Sequence, residues 1–139
     1  MPAADDNQGP TSGLTPHLTI GAGRAHEAID FYRAAFDAEE RFRMTAEDGQ
    51  RLMHAHLPVN GASLMLNDDF PEYHGGSYTP PASFTLHLSV DDADVWFDRA
   101  VAAGAIVRMP LDNMFWGDRY GQVDDPFGFT WSIGARIAG

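Results

Sequence analysis

The sequence predicts an α+β fold made of two tandem βαβββ modules, with a functional cleft between them. Two observations carry this prediction. A segment of the chain recurs about 70 residues further on, and both copies change from strand to helix periodicity at the same point. The first module is predicted at about 14–67 and the second at about 83–137, joined by a connection at 68–82. The two modules form one domain, 14–137, which is long enough to bury a core.

The repeat begins at the opening strand of each module. His-Leu-Thr-Ile at 17–20 matches His-Leu-Ser-Val at 87–90, and each is followed by a helical stretch that contains Phe-x-Arg-Ala. In both opening strands, apolar residues alternate with the polar pattern Thr-x-His-x-Thr/Ser. This alternation predicts a strand with one buried face and one polar face.

Helices and further strands follow in the same order in both modules. An apolar stripe runs from Ala25 to Phe36 in the first predicted helix and from Ala93 to Val101 in the second. Asp-Gly, Asn-Gly and Asp-Pro-Phe-Gly turn signals then separate short apolar runs, which predicts three antiparallel strands after each helix. The expected strands are about 39–45, 51–57, 62–67, 105–109, 119–124 and 129–135.

Composition excludes several classes of site. The chain has no cysteine and no lysine, which rules out disulfides, thiolate metal sites and Schiff-base chemistry. Its net charge of −11 argues against nucleic acid as a partner and favours a neutral or cationic small molecule. The apolar runs are too short to cross a membrane. Residues 1–13 lack the features of a secretory signal, which predicts a disordered tail on a cytoplasmic protein.

Four short motifs point to a known family. Ile-Asp-Phe-Tyr occurs at 29–32 and Asp-Pro-Phe-Gly-x-x-Trp at 125–131. In these the chain resembles the vicinal oxygen chelate superfamily, which includes glyoxalase I, bleomycin-resistance proteins, fosfomycin-resistance enzymes and extradiol dioxygenases. Met-His-Ala at 53–55 and Phe-Trp-Gly-Asp-Arg-Tyr-Gly at 115–121 resemble its phosphonate-operon-associated, demethylubiquinone-methyltransferase-like branch. The resemblance implies a curved mixed sheet around a cleft, usually in a homodimer.

The resemblance also implies where a metal would be bound. In metal-dependent members, the opening and closing strands of each module supply the ligands, typically His and Glu. At these four positions the chain has Thr15, Met65, Thr85 and Ser132. None is a good ligand for a hard cation, so the usual metal site is predicted to be absent. A gapless count back from the Ile-Asp-Phe-Tyr motif would put His17 at the first position, but the repeat pairs His17 with His87 and Thr15 with Thr85.

Four histidines are the main candidates for the cleft. His17 and His87 lie two residues beyond the positions where the metal ligands are missing. The pseudo-twofold axis that relates the two modules is expected to bring these histidines close together at the cleft floor. His54 and His56 alternate on a strand and share one face. Such imidazoles can bind a metal, transfer protons near neutral pH, hold a ligand's oxygens, or simply bond neighbouring hydroxyls. The sequence leaves these alternatives open.

The segment 115–120 combines aromatic residues with an Asp–Arg pair. Trp116 can stack on a planar ligand while Arg119 orients a carboxylate or phosphonate. Alternatively, Trp116 is a core residue and Arg119 fixes a loop with Asp118. The acidic pairs at 68–69 and 124–125 occur at turns and are interpreted as solvated.

These observations predict a small-molecule-binding protein that binds or sequesters an antibiotic or a metabolite in the inter-module cleft, without a cofactor. The residues predicted to line the site are Thr15, His17, His54, His56, Met65, Thr85, His87, Trp116, Arg119 and Ser132. The alternative is a metal-dependent lyase, isomerase or dioxygenase, with a divalent metal at His17 and His87 together with His54 or His56. The sequence does not identify the substrate.

Overall fold

The computed structural model describes residues 7–138, which form two compact units. The first unit contains 7–33 and 37–79, and the second contains 34–36 and 80–138. Each carries a four-stranded mixed sheet, and the order of elements is that of two βαβββ modules in tandem. The predicted α+β fold is therefore confirmed. Within the described residues, no helix has the length and apolar character needed to span a bilayer.

The first sheet has the strand order β1-β4-β3-β2. Its elements are β1 (His17–Ile20), α1 (Ala25–Phe36), β2 (Phe42–Thr45), β3 (Leu52–Val59) and β4 (Ala62–Asp68). β1 runs parallel to β4, and the other neighbours are antiparallel. Leu18 and Ile20 of β1 are buried with Leu66 of β4, while His17 and Thr19 lie on the opposite, more accessible face, as the alternation predicts.

A β-bulge changes the predicted orientation of one residue in β3. Alternation alone places Met53 in the core with Ala55, but the structure leaves Met53 47% exposed and buries Leu52 completely. The pairing with β2 shifts at this point, because Met44 pairs with His54 whereas Thr45 pairs with Leu52. Met53 is the extra residue of the bulge, so alternation resumes one residue out of step.

The second sheet repeats this arrangement with the order β5-β8-β7-β6. Its elements are β5 (Leu86–Ser89), α3 (Ala93–Ala103), β6 (Ile106–Asn113), β7 (Asp118–Asp124) and β8 (Thr130–Arg136). The carboxylate of Asp92 accepts from the Val95 amide at 3.2 Å and caps α3. The Trp131 ring of β8 lies 4.4 Å from that of Phe36, centroid to centroid, in the core of this unit.

The connection between the modules contains a short helix, α2 (Pro71–His74), which was not predicted. Tyr78 anchors the connection to the first unit by donating to the Thr19 carbonyl at 2.9 Å. A Cβ on Gly21 would lie 2.8 Å from the Tyr78 ring, so glycine allows this close approach. Arg51 adds a bidentate ion pair with Glu72. The connection is therefore tied to the first unit at both of these points.

The interpretation of the two acidic pairs as solvated turn residues is wrong for one member of each pair. Asp68 is completely buried, and Asp125 is 6% exposed. Both carboxylates accept hydrogen bonds from backbone amides, which compensates the burial of their charge. Their neighbours Asp69 and Asp124 are less buried, so burial divides each pair in the same way.

Candidate functional site

The polar face of the first sheet brings together three of the predicted site residues in one row. Strand register places Phe42, His56, Met65 and His17 side by side across β2, β3, β4 and β1. His54 lies on the same face, and its ring centroid is 5.9 Å from that of His17 and 5.8 Å from that of Phe42. His17, His54, His56 and Met65, four of the residues predicted to line the site, therefore share one face of the first sheet.

The two β3 histidines already have partners at the start of the chain. His54 Nε2 lies 2.5 Å from the Gln8 carbonyl oxygen, and His56 Nδ1 lies 2.9 Å from that of Asn7. His56 also contacts the Ser63 hydroxyl through Nε2 at 2.9 Å. These contacts come from within 1–13, the predicted disordered tail, of which residues 1–6 lie outside the described part of the chain.

His17 is held towards its neutral form. Partial burial lowers its pKa, and repulsion from the His54 charge lowers it further. A neutral imidazole keeps one nitrogen lone pair, so His17 is suited to accept a hydrogen bond from a ligand at neutral pH.

This pKa shift predicts a pH dependence of stability. Because the folded-state pKa of His17 lies below its unfolded value, the unfolded state binds more protons as the pH falls below about 6.5, and the folded protein loses stability there. Urea unfolding at pH 7 and pH 5.5 should show a smaller loss for His17→Asn than for the unsubstituted protein. If both proteins lose the same free energy of unfolding between pH 7 and pH 5.5, the lowered pKa of His17 is contradicted.

The polar face of the second sheet is lined by aromatic and hydrogen-bonding groups. His87 Nδ1 and Ser132 Oγ share a hydrogen bond of 2.7 Å, and the His87 ring stacks on Tyr120 at 5.9 Å with an interplanar angle of 20°. Gln122 donates to the Tyr120 hydroxyl at 3.0 Å. Gly134 lies beneath this stack, since a Cβ there would be 3.0 Å from His87 Cε1. Among the described residues, His87 Nε2 has no protein partner.

Trp116 extends this face at the turn between β6 and β7. Its ring meets Tyr120 edge-on at 5.5 Å, and its indole N–H donates to Asp118 at 3.2 Å. Trp116 is 46% exposed and Phe115 is 97% exposed, so neither is a core residue. The interpretation of Trp116 as part of the core is therefore wrong, and its ring is open to a ligand.

Arg119 lies on the opposite side of β7 from Tyr120, because successive side chains of a strand alternate. Its guanidinium makes a bidentate ion pair with Asp94 of α3, with N–O distances of 2.8 and 3.0 Å, and donates to Asn113 at 3.1 Å. The ion pair raises the pKa of Arg119 and lowers that of Asp94. Through these contacts, Arg119 of β7 links α3 to β6 and β7.

The remaining predicted residues lie just before the opening strands. Thr15 is half-buried and Thr85 is exposed, and β1 and β5 begin at His17 and Leu86. The expected proximity of His17 to His87 involves both units and stays a prediction. The predicted set of site residues omitted Tyr120 and Gln122, although alternation along β7 places both on one face.

The sequence predicts Thr15, Met65, Thr85 and Ser132 at the positions of the family's metal ligands, and these four residues are a poor donor set for a divalent cation. Thr15, Thr85 and Ser132 offer hydroxyls and Met65 offers a thioether, whereas such sites need carboxylates or imidazoles. His17 and His54 lie close together, but residues 7–138 contain no group of three or more side chains suited to hold a metal.

The fold and motifs described above agree with a known family. A family model described as the Glyoxalase/Bleomycin resistance protein/Dioxygenase superfamily matches residues 15–133. The chain belongs to this superfamily. The resemblance inferred from the sequence motifs is thereby confirmed, and the match extends across both βαβββ modules of the superfamily domain.

Several relatives of this superfamily domain are similar over most of their length. Uncharacterized protein Rv0887c of Mycobacterium tuberculosis is 49% identical over 129 residues, which cover 89% of this chain and 74% of that protein. The crystal structure of PA1353 from Pseudomonas aeruginosa has a TM-score of 0.76 at 26% identity, covering 92% of this chain and all of that one. A putative 3-demethylubiquinone-9 3-methyltransferase, PhnB protein, from Bacillus cereus has a TM-score of 0.68 at 24% identity, covering 89% and 99%. This last likeness concerns the fold alone.

Proposed function

We propose that this superfamily member is a small-molecule-binding protein whose ligand is planar, aromatic and neutral or cationic. The single observation that carries the proposal is the open aromatic face of the second sheet, where Trp116 meets Tyr120 and Tyr120 stacks on His87. Aromatic rings bind planar ligands by stacking and attract cations through their faces. An antibiotic or a metabolite of this shape is the class of natural ligand we propose.

Polar groups around the rings supply orientation. His87 Nε2 can exchange a hydrogen bond with the ligand, because the Ser132 hydroxyl engages the other ring nitrogen. Carboxylates lie close to the aromatic groups: Asp118 accepts from the Trp116 indole, and Asp112 pairs with Tyr120 across the strands. Together with the chain's net charge of −11, these acids favour a cationic ligand over an anionic one.

Trp116→Ala should weaken binding of the planar cation benzamidinium about tenfold or more, since it removes a large aromatic ring that is 46% exposed. Calorimetric titration measures the affinity. Acetamidinium, which has the same charged group without the ring, should bind at least about tenfold more weakly than benzamidinium to the unsubstituted protein.

Trp96→Phe is the matched control. Trp96 lies on α3 of the same unit, and the Arg99 guanidinium covers its ring at 4.4 Å. This variant should keep the affinity of the unsubstituted protein for benzamidinium. Equal affinities for benzamidinium and acetamidinium, or equal losses in the Trp116 and Trp96 variants, would count against an aromatic binding face.

The proposal includes a homodimer, which is the assembly that family membership favours. Light scattering on the purified protein should give twice the mass of the chain. A mass equal to one chain at the concentrations used for the calorimetry would remove the dimer from the proposal and leave the aromatic face in place.

A further inference from the structure

Residues 7–9, here called the N-terminal strap, lie on the polar face of the first sheet. The carbonyl oxygens of Asn7 and Gln8 contact the rings of His56 and His54. Gly9 is buried, with a φ of +145°, and a Cβ on it would lie only 2.8 Å from Met65 Sδ. The strap is thus seated closely on the row of side chains that contains His56 and Met65.

The contacts with the strap determine which ring nitrogen of each histidine carries a hydrogen. A carbonyl oxygen can only accept a hydrogen bond, so His54 Nε2 and His56 Nδ1 must both carry a proton. In a neutral His56 ring, Nε2 then accepts from the Ser63 hydroxyl, which fixes the ring orientation. Two N–H donors on one face of β3 therefore point at two oxygen acceptors.

The charge of this face differs from that of the whole chain. Although the net charge is −11, register and alternation give the face no acidic side chain among its described members. These members are His17, Thr19, Phe42, Met44, His54, His56, Pro58, Ser63, Met65 and Asn67. A carboxylate bound here would meet imidazole and hydroxyl groups and no acidic side chain among these strand residues.

We infer that His54 and His56 form a binding site for a small carboxylate with two oxygen acceptors, and that the N-terminal strap closes this site when the ligand is absent. The strap carbonyls take the places of the ligand oxygens. This site is built from residues of the first unit and the aromatic face from residues of the second, so the inference extends the proposed function without depending on it. Because a ligand must displace both strap hydrogen bonds, a cost partly offset by the freedom that the strap regains, closure should weaken ligand binding about tenfold.

Gly9→Val tests the strap, because valine disfavours the positive φ and its side chain would collide with Met65. Malonate is titrated while the imidazole ¹⁵N shifts of His54 and His56 are followed by NMR. Malonate should bind the Gly9→Val protein about tenfold more tightly than the unsubstituted protein, and both histidines should shift. Adding His54→Ala to the Gly9→Val protein should abolish most of this binding.

Gly13→Val is the matched control. Gly13 also has a positive φ, +83°, but a Cβ there would meet nothing within 4 Å. Its affinity for malonate should equal that of the unsubstituted protein. The strap is overturned if the Gly9 and Gly13 variants bind malonate equally, and the site is overturned if the His54 substitution leaves malonate binding unchanged.

Discussion

Asp125→Ala should lower the free energy of unfolding by about 4 kcal/mol. The Asp125 carboxylate accepts from the amides of Phe127 at 2.8 Å and Phe129 at 3.0 Å, and from the Trp131 indole N–H at 2.9 Å. Phe129 and Trp131 are buried, so alanine would remove the carboxylate acceptor from donors that lie away from water. Each such donor costs about 1–3 kcal/mol. Urea denaturation followed by circular dichroism measures the loss.

Asp124→Ala is the control for this prediction, since it removes the neighbouring carboxylate from the same turn. Asp124 is partly exposed, accepts from the Thr130 hydroxyl at 2.7 Å and lies 3.4 Å from Arg108. Its loss should cost less than about 1 kcal/mol. Similar losses for the Asp124 and Asp125 variants would show that the buried acceptor does not hold the turn.

Asp68→Ala should cost about 3 kcal/mol, because it removes the N-terminal cap of α1. The residue before the helix, Arg24, makes no capping hydrogen bond with its side chain. Instead, Asp68 Oδ1 accepts from the Ala25 amide at 2.9 Å, while Oδ2 accepts from the Leu52 amide at 2.7 Å. The negative charge also suits the positive end of the helix. Denaturation gives the energy, and amide hydrogen exchange should quicken at Ala25 and Leu52.

Asp69→Ala is the corresponding control. The Asp69 side chain pairs with His74 at 2.9 Å, and its backbone amide donates to the Ile20 carbonyl, a bond that alanine retains. The cost should stay near 1 kcal/mol or below, with exchange at Ala25 unchanged. Unchanged exchange at Ala25 in the Asp68 variant as well would contradict the capping role.

The sequence predicted the module architecture because its evidence is local. Strand alternation and helical periodicity are properties of neighbouring residues, and the repeat doubled the evidence for each element. The exceptions arise where one strand departs from its partner. The bulge at Met53 exposes a residue expected in the core, and β6 continues to Asn113 through shifts in its pairing with β7.

The two buried carboxylates show the limit of local evidence. Asp125 bonds residues two, four and six positions ahead, and the Asp-Pro-Phe-Gly-x-x-Trp motif contains these three partners. Asp68 accepts a hydrogen bond from Ala25, which is 43 residues away, and no sequence pattern predicts such a partner. Burial of Asp125 could have been read from the motif, whereas burial of Asp68 required the folded structure.

The candidate site also has one feature that the sequence could predict and one that it could not. Apolar Val123 on β7 fixes the parity of that strand, which puts Arg119 on the core side and Tyr120 on the polar side. The sequence contained this information, although Arg119 was predicted to contact the ligand. The contact of Gln8 with His54 could not be predicted, because a polar segment without periodicity carries no signal for its partner.

β6 is the terminal strand of its sheet, and its irregular pairing affects the tendency of the protein to aggregate. An unpaired strand edge invites a strand from another molecule, which leads to aggregation. Here the register shifts between Val107 and Met109 and again between Met109 and Asp112, and Pro110, within the second of these intervals, has no backbone N–H to donate. The flanking Arg108 and Asp112 add charge to the same stretch. The second module therefore carries a terminal strand that is a poor template for fibrous growth.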